Sequence, residues 1–228
     1  MSVSAALGII AACAQGQDGI DVSGGVVPAD DAGAEGGTRL PGTDAGGSSS
    51  GDPDPDPEDD SGAGPGCTGK VVINEIMTRG ASAAHEFVEL YNPNSCALSL
   101  GGWTLVYRSR MGTTDTALHA FAGGASIPAQ SFLVVGSAQF AGPKDVSMNV
   151  GTTGKMAEEG QVGLINDSGS LVDALGFGGA TGAYVEGTAA GSPPVNGSVG
   201  RKSDGLDTDN NAADCRVFTT HSAGASNL

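Results

Sequence analysis

Basic and aromatic side chains are scarce in this chain of 228 residues. Ten Lys and Arg stand against 26 Asp and Glu, which gives a formal net charge of −16, and aromatic residues make up only 4%. Phosphate backbones and anionic lipid repel such a chain unless a cation or a local basic patch intervenes. Direct nucleic-acid binding is therefore not expected. The composition supports one modest core.

The familiar motifs of catalysis are also missing. The sequence has no Gly-x-x-x-x-Gly-Lys-Ser and no His-Glu-x-x-His, and its one Gly-x-Ser-x-Gly match, GSSSG at 47–51, lies in a Gly- and Ser-rich segment rather than in a nucleophile elbow between a strand and a helix. Its three His are scattered singly and no Cys-x-x-Cys occurs, which argues against a zinc site. Glu75, Glu86 and Glu89 could be imagined as an acid/base pair, but we interpret them as partners of backbone groups and of Arg108 or Arg110. The sequence thus predicts a protein that is not an enzyme.

The apolar stretch 3–12 is too short to cross a membrane as a helix. It runs into IAAC at 10–13, which has the form of a lipobox, so we expect residues 1–13 to be a signal peptide and Cys13 to carry a lipid. Ala14 favours the outer membrane, because an Asp there commonly retains lipoproteins in the inner one. No Lys or Arg precedes the apolar stretch, which indicates a start codon further upstream. The alternative is an Ala-rich start with a chance cysteine.

Residues 14–66 contain few large apolar side chains and hold 12 acidic residues against Arg39 alone. Such a segment cannot bury enough surface to offset its ordering entropy. It ends in DPDPDPEDD at 52–60, where proline and like charges extend the chain. We therefore predict a disordered acidic linker that acts as a stalk. A divalent-cation site in this run is the alternative, but consecutive acids lack a fixed oxygen cage.

After Cys67 the sequence reads as an all-β domain that spans residues 67–228. Short runs of β-forming residues alternate with Gly, Asn, Pro and Ser. They predict six strands, at 71–77, 86–91, 103–108, 132–136, 162–166 and 171–177. NDSG at 166–169 predicts a hairpin turn. This texture is typical of a sandwich or barrel.

Two features of the predicted strands concern the core. Trp103, Leu105 and Tyr107 share one face, so Trp103 is predicted to fill the space between two sheets. An exposed platform for stacking carbohydrate is the alternative. Asn74 and Glu75 interrupt an apolar strand, so at least one of these side chains should point inward and be hydrogen-bonded.

Three successive motifs resemble the lamin tail domain family as it occurs in exported bacterial proteins. They are VINEI at 72–76, EFVELYNP at 86–93 and LGGWTL at 100–105. Later runs are similar to the family's later strands and to its bacterial C-terminal extension: IPA at 127–129, FLVV at 132–135, GLINDSG at 163–169, DGLDTDNN at 204–211 and GASN at 224–227. The resemblance implies an immunoglobulin-like β-sandwich with a binding or tethering role and no catalytic residues.

Three cysteines remain if Cys13 is lipidated, an odd number for an oxidising compartment. Cys215 stands after Asp214, where the resemblance leads us to expect Phe. We therefore expect a disulfide between Cys96 and Cys215, which would close a loop of over a hundred residues and contribute about 4 to 5 kcal/mol. Pairing of Cys67 with either of them stays open, because spacing does not determine connectivity.

The sharpest candidate site is a set of oxygen-bearing residues near the C-terminus: Asp204, Asp207, Asp209, Asn211 and Asp214. Oxygens at alternating positions can converge in a tight loop, as calcium requires. The run lacks the glycine and the terminal Glu of an EF-hand. Its alternative is a series of Asx turns assisted by a salt bridge from Arg201.

The leading hypothesis is a non-enzymatic interaction or tethering module at the cell envelope. It would contact a protein, a polysaccharide or another extracellular polymer, and would touch the membrane through its lipid anchor only. The alternative function is an accessory domain that helps a secreted hydrolase or nuclease. A purely structural envelope protein is a third hypothesis.

Overall fold

A computed structural model of the chain describes residues 67–149 and 155–227. The predicted signal peptide with Cys13 and the predicted linker at 14–66 lie outside these ranges. Among the described residues, no helix is long and apolar enough to span a bilayer.

β-Strands are almost the only regular secondary structure of the described chain. Each of the six predicted strands is present, with bounds that differ by at most two residues. In chain order the elements are β1 (Val72–Met77), β2 (Phe87–Asn92), β3 (Leu98–Ser99), β4 (Thr104–Ser109), β5 (Thr116–Ala120), β6 (Ser126–Ile127), β7 (Ser131–Gly136), β8 (Val146–Ser147), β9 (Gly160–Ile165), β10 (Leu171–Phe177), β11 (Ser198–Arg201), α1 (Asn211–Asp214) and β12 (Cys215–Phe218).

These strands form two main sheets. The larger sheet has the order β12-β11-β1-β2-β7-β8 and the smaller has β10-β9-β4-β5. Pairing is antiparallel except between β7 and β8. The all-β, immunoglobulin-like sandwich expected from the sequence is confirmed.

The main core takes alternate side chains from both sheets. Val88 and Leu90 of β2 meet Leu105 of β4 and Leu164 of β9, and all four are inaccessible to solvent. This is the period-two burial that strands impose, since successive side chains point to opposite faces. The core therefore lies between the sheets and leaves the strand ends to form surface features.

Trp103 is less buried than predicted. It precedes β4 by one residue and packs against the main core while part of it stays exposed. Leu105 and Tyr107 occupy the buried positions of the same strand. The prediction of a core plug between the sheets therefore needs correction, because a residue beyond the strand's end reaches only the margin of the core.

The predicted disulfide between Cys96 and Cys215 is wrong. Cys67 pairs with Cys96, with Cα atoms 5.8 Å apart, and Cys215 is a free buried thiol. Cys215 lies opposite Arg201 in the β11–β12 ladder and packs in the main core. The Asp that precedes it ends a short helix rather than an exposed loop, so Cys215 is a packing residue.

Candidate functional site

Two carboxylates are buried opposite each other in the larger sheet. Glu75 on β1 and Glu89 on β2 are cross-strand neighbours, and neither is accessible to solvent. Glu75 accepts hydrogen bonds from the N–H of Ser222 at 3.0 and 3.1 Å, and Glu89 accepts one from the N–H of Gly224 at 2.6 Å. Burial raises the pKa of both acids, that of Glu89 to about 8. The pair fastens the C-terminal segment to the sheet and is closed to a substrate.

A third buried carboxylate, Glu86, fastens the segment before β9. It accepts hydrogen bonds from the N–H groups of Lys155 and Met156 at 2.7 to 3.0 Å. Burial raises its pKa. The hydroxyl of Tyr107 accepts from the N–H of Ala157 at 3.1 Å in the same segment. The interpretation of the three glutamates as partners of backbone groups is therefore confirmed.

The same interpretation paired these glutamates with two arginines, and that part is wrong. Arg108 contacts Asp115 at 2.6 Å, and Arg110 contacts Glu159 at 3.2 Å. Both arginines extend from the end of β4 in the smaller sheet, where the acids of neighbouring loops are closer than those of β1 and β2.

The residues predicted as calcium ligands have separate protein partners. Asp214 accepts from the N–H and from the hydroxyl of Thr208, at 2.7 Å in both cases. Asn211 accepts from two backbone N–H groups at 2.9 Å. Asp209 is exposed, and its N–H donates to Asp207 at 3.3 Å in an Asx turn. The side-chain oxygens of Asp207, Asn211 and Asp214 therefore accept hydrogen bonds from protein groups.

Asp204 lies apart from the other four. Its carboxylate accepts from the amide of Asn74 at 3.0 Å and from the N–H of Asn227 at 3.1 Å. Arg201 contacts Asp207 at 3.2 Å. The five side chains form no common cage, and the loop instead has the Asx turns and the arginine salt bridge of the alternative interpretation.

Arg201 on β11 is the centre of a buried ion-pair network. Its Nη2 donates to both oxygens of Asp173 at 2.9 and 3.0 Å, and its Nε donates to the carbonyl of Ile73 at 2.9 Å. Carboxylate oxygens of Asp173, Glu186 and Asp207 lie within 4.8 Å of one another around it. Burial raises the pKa of Glu186 to about 7. Lys70 supplies a second positive charge, 3.5 Å from Asp173 and paired with Asp207. The guanidinium of Arg201 joins β11 to β10 and β1, which is a structural role.

An open cleft of about 580 Å³ lies where β1 and β4 end. Two ion pairs form its rim: Arg79 contacts Glu158 at 2.6 Å, and Arg110 contacts Glu159 at 3.2 Å. All four side chains are between 42% and 56% exposed. The volume falls in the range of roughly 300 to 1,000 Å³ that is usual for ligand sites.

The floor of the cleft combines an apolar side chain with an unused hydroxyl. Met156 is 7% exposed. Thr78 is 2% exposed, and its hydroxyl has no hydrogen-bond partner among the described residues. The lining contains no His and no Cys, and its two carboxylates are paired with arginine.

A family model described as Lamin Tail Domain matches residues 66–179, half of the chain. The chain belongs to the lamin tail domain family. The match begins just before β1 and ends after β10, so it includes the Cys67–Cys96 disulfide and the whole lining of the cleft. Lamin tail domains are a non-enzymatic family with an immunoglobulin-like fold. No curated protein matches the chain.

The C-terminal part of this lamin tail protein lies beyond the matched range and still completes the sandwich. β11 and β12 extend the larger sheet, Arg201 reaches back to β10, and the N–H groups of Ser222 and Gly224 serve the buried glutamates. Residues 180–227 are therefore part of one folded unit with β1 to β10.

Sequence reasoning missed the cleft entirely. Thr78 and Arg79 follow β1, Arg110 follows β4, and Glu158 and Glu159 precede β9. The only available signal was that charged residues stand at three strand ends. That signal is weak, because charged residues at strand ends are usually solvated.

Proposed function

We propose that this chain is a non-enzymatic interaction module of the cell envelope, in which the lamin tail domain binds a protein or an extracellular polymer. A lipid on Cys13 would hold the chain to the membrane, and the acidic sequence at 14–66 would separate the domain from it. The cleft at the ends of β1 and β4 carries the proposal. It is large enough for a ligand, and a buried hydrogen bond that Glu86 accepts from the N–H of Met156 fixes its floor.

The chemistry of the buried acids supports a binding role over a catalytic one. Glu75, Glu86 and Glu89 are each occupied by backbone donors, so none is available to a substrate. The cleft has the hydroxyls of Thr78 and Ser109 but no His or Cys, and its two carboxylates are paired with arginine rather than placed as a base for a nucleophile. A chain built in this way recognises a partner without changing it.

The envelope assignment is tested by fractionating cells that express the gene with its natural upstream region. We expect the protein in the membrane fraction, acyl chains on the Cys13 peptide by mass spectrometry, and release of the Cys13→Ser variant into the soluble fraction. Cys215→Ala is the matched control, since it also removes a thiol but leaves the lipobox intact. A mature protein that retains an intact peptide of residues 1–17 contradicts the assignment.

A further inference from the structure

We propose that the cleft at the ends of β1 and β4 binds a short segment of a partner protein, in which an apolar side chain is flanked by basic ones. This rests on the proposed function and names the class of its ligand. The apolar side chain would enter over Met156, and the basic side chains would reach Glu158 and Glu159 on the rim.

The hydroxyl of Thr78 is a buried polar group that the described residues leave without a hydrogen-bond partner. A buried polar group without a partner is destabilising, so native structures keep few of them. Thr78 lines the cleft next to Met156, and its hydroxyl is closed to solvent in this conformation, so a ligand amide or carbonyl would supply the missing hydrogen bond once rotation about χ1 turns the hydroxyl towards the cleft. Valine would fill the same space without this cost.

The rim offers donors and acceptors together, as a peptide backbone requires. Arg79 uses one of its five N–H donors on Glu158, and Arg110 uses Nε on the carbonyl of Gly179. The remaining N–H groups suit peptide carbonyls. The carboxylates have lone pairs left for N–H groups and for ammonium or guanidinium groups.

The net charge of the domain indicates which charge the bound peptide should carry. The rim is neutral as a whole, but the domain at residues 67–228 is acidic, with 14 Asp and Glu against 9 Lys and Arg. A field of that sign attracts basic segments over distance and repels acidic ones. Polyanionic polymers are disfavoured for the same reason.

The lining disfavours a neutral polysaccharide. It contains no Trp, Tyr or Phe, the side chains whose flat faces pack against sugar rings. Met156 instead provides a flexible thioether that adapts to varied aliphatic side chains, as at surfaces that bind peptides.

The test is a titration of the full-length, ¹⁵N-labelled chain, followed by amide chemical shifts. The probes are acetyl-Gly-Lys-Leu-Lys-Gly-amide, its counterpart with Glu in place of both Lys, its counterpart with Ser in place of Leu, and maltotriose as a neutral saccharide. We expect saturable shifts with the Lys-Leu-Lys probe at residues 78–79 and 156–159. The Ser and Glu counterparts should bind at least about fivefold more weakly, since each lacks one of the two features.

Variants separate a ligand site from a structural feature. Glu158→Gln with Glu159→Gln should weaken the Lys-Leu-Lys probe about tenfold, as expected for lost hydrogen bonds to charged groups. Thr78→Val should weaken it about fivefold and leave the unfolding midpoint unchanged or higher, a combination that a purely structural hydroxyl would not give. The double variant Asp167→Asn with Asp209→Asn removes two exposed charges elsewhere and should bind like the unaltered chain.

Each unexpected result would overturn a different part of the proposal. Tighter binding of the Glu probe, or cleft shifts with maltotriose and none with peptides, overturns the peptide assignment and leaves the proposed binding function standing. Absence of cleft shifts with every probe overturns the cleft as the binding site. In that case the envelope assignment is still decided by fractionation and lipid analysis.

Discussion

Glu89 is an acid whose burial has a measurable consequence in solution. Its pKa rises from 4.5 to about 8, first because of burial and then because of the nearby charges of Glu75 and Asp204, while hydrogen bonds from Asn74 and Gly224 oppose the rise. The folded state therefore holds a proton that the unfolded chain releases above about pH 4.5. By linkage, its contribution to stability is complete below that pH and is lost as the pH rises through about 8.

We predict that the domain unfolds at a lower temperature at pH 8 than at pH 5, because Glu75, Glu86 and Glu186 shift in the same direction. Glu89→Gln should flatten this dependence, and Met111→Leu, at an exposed position that does not titrate, should leave it unchanged. Thermal unfolding across pH 5 to 8 is the measurement. Stability that rises with pH over this window would mean that the buried acids are ionised in the fold.

At the level of residues, the sequence predicted which polar side chains are buried more reliably than it predicted their hydrogen-bond partners. The interruption of an apolar strand by Asn74 and Glu75 correctly indicated inward polar groups, and both are fully buried. Their partners come from Asp204 and Ser222, which are 130 and 147 residues away along the chain. Such pairs depend on tertiary structure, so local spacing does not reveal them.

At the level of elements, alternation located the six strands that cross the core. The sequence did not predict the other six strands, which are only two to five residues long, too short for clear alternation: β3, β5, β6, β8, β11 and β12. The acidic loop was ambiguous for another reason. Whether its oxygens bind a cation or backbone groups depends on Arg201, whose other partner, Asp173, belongs to the opposite sheet.

The Cys67–Cys96 disulfide ties the start of the domain to the turn after β2. At a sequence separation of 29, the chain-entropy model gives about 3 to 4 kcal/mol of stabilisation. We predict that a reductant, or Cys67→Ser with Cys96→Ser, lowers the unfolding free energy in urea by about this amount.

Cys215→Ala provides the control for this prediction, because it removes the free buried thiol and keeps the bridge. Its response to the reductant should equal that of the unaltered chain. If Cys215→Ala becomes insensitive to the reductant, the bridge in solution involves Cys215 and the pairing is different.

At the level of the whole molecule, the domain combines a core closed between two sheets with a cleft at one end. β9 runs from Gly160, next to Glu159 on the rim, to Ile165, and the following turn contains Asp167. Ala83 lines the cleft and is exposed, and Asp167 is exposed beyond the far end of this strand. A probe at position 83 therefore reports on the cleft, and a probe at position 167 reports on an exposed site beyond the other end of β9.

Site-specific photo-crosslinking in cells tests directly whether this lamin tail domain binds a partner through its cleft. A benzophenone amino acid is placed at Ala83 or, as the control, at Asp167, and the envelope fraction is irradiated. We predict a crosslinked protein from position 83 that is lost with Glu158→Gln and Glu159→Gln, and none from position 167. Equal crosslinking from both positions, or crosslinking from position 83 that survives the two substitutions, would contradict the account.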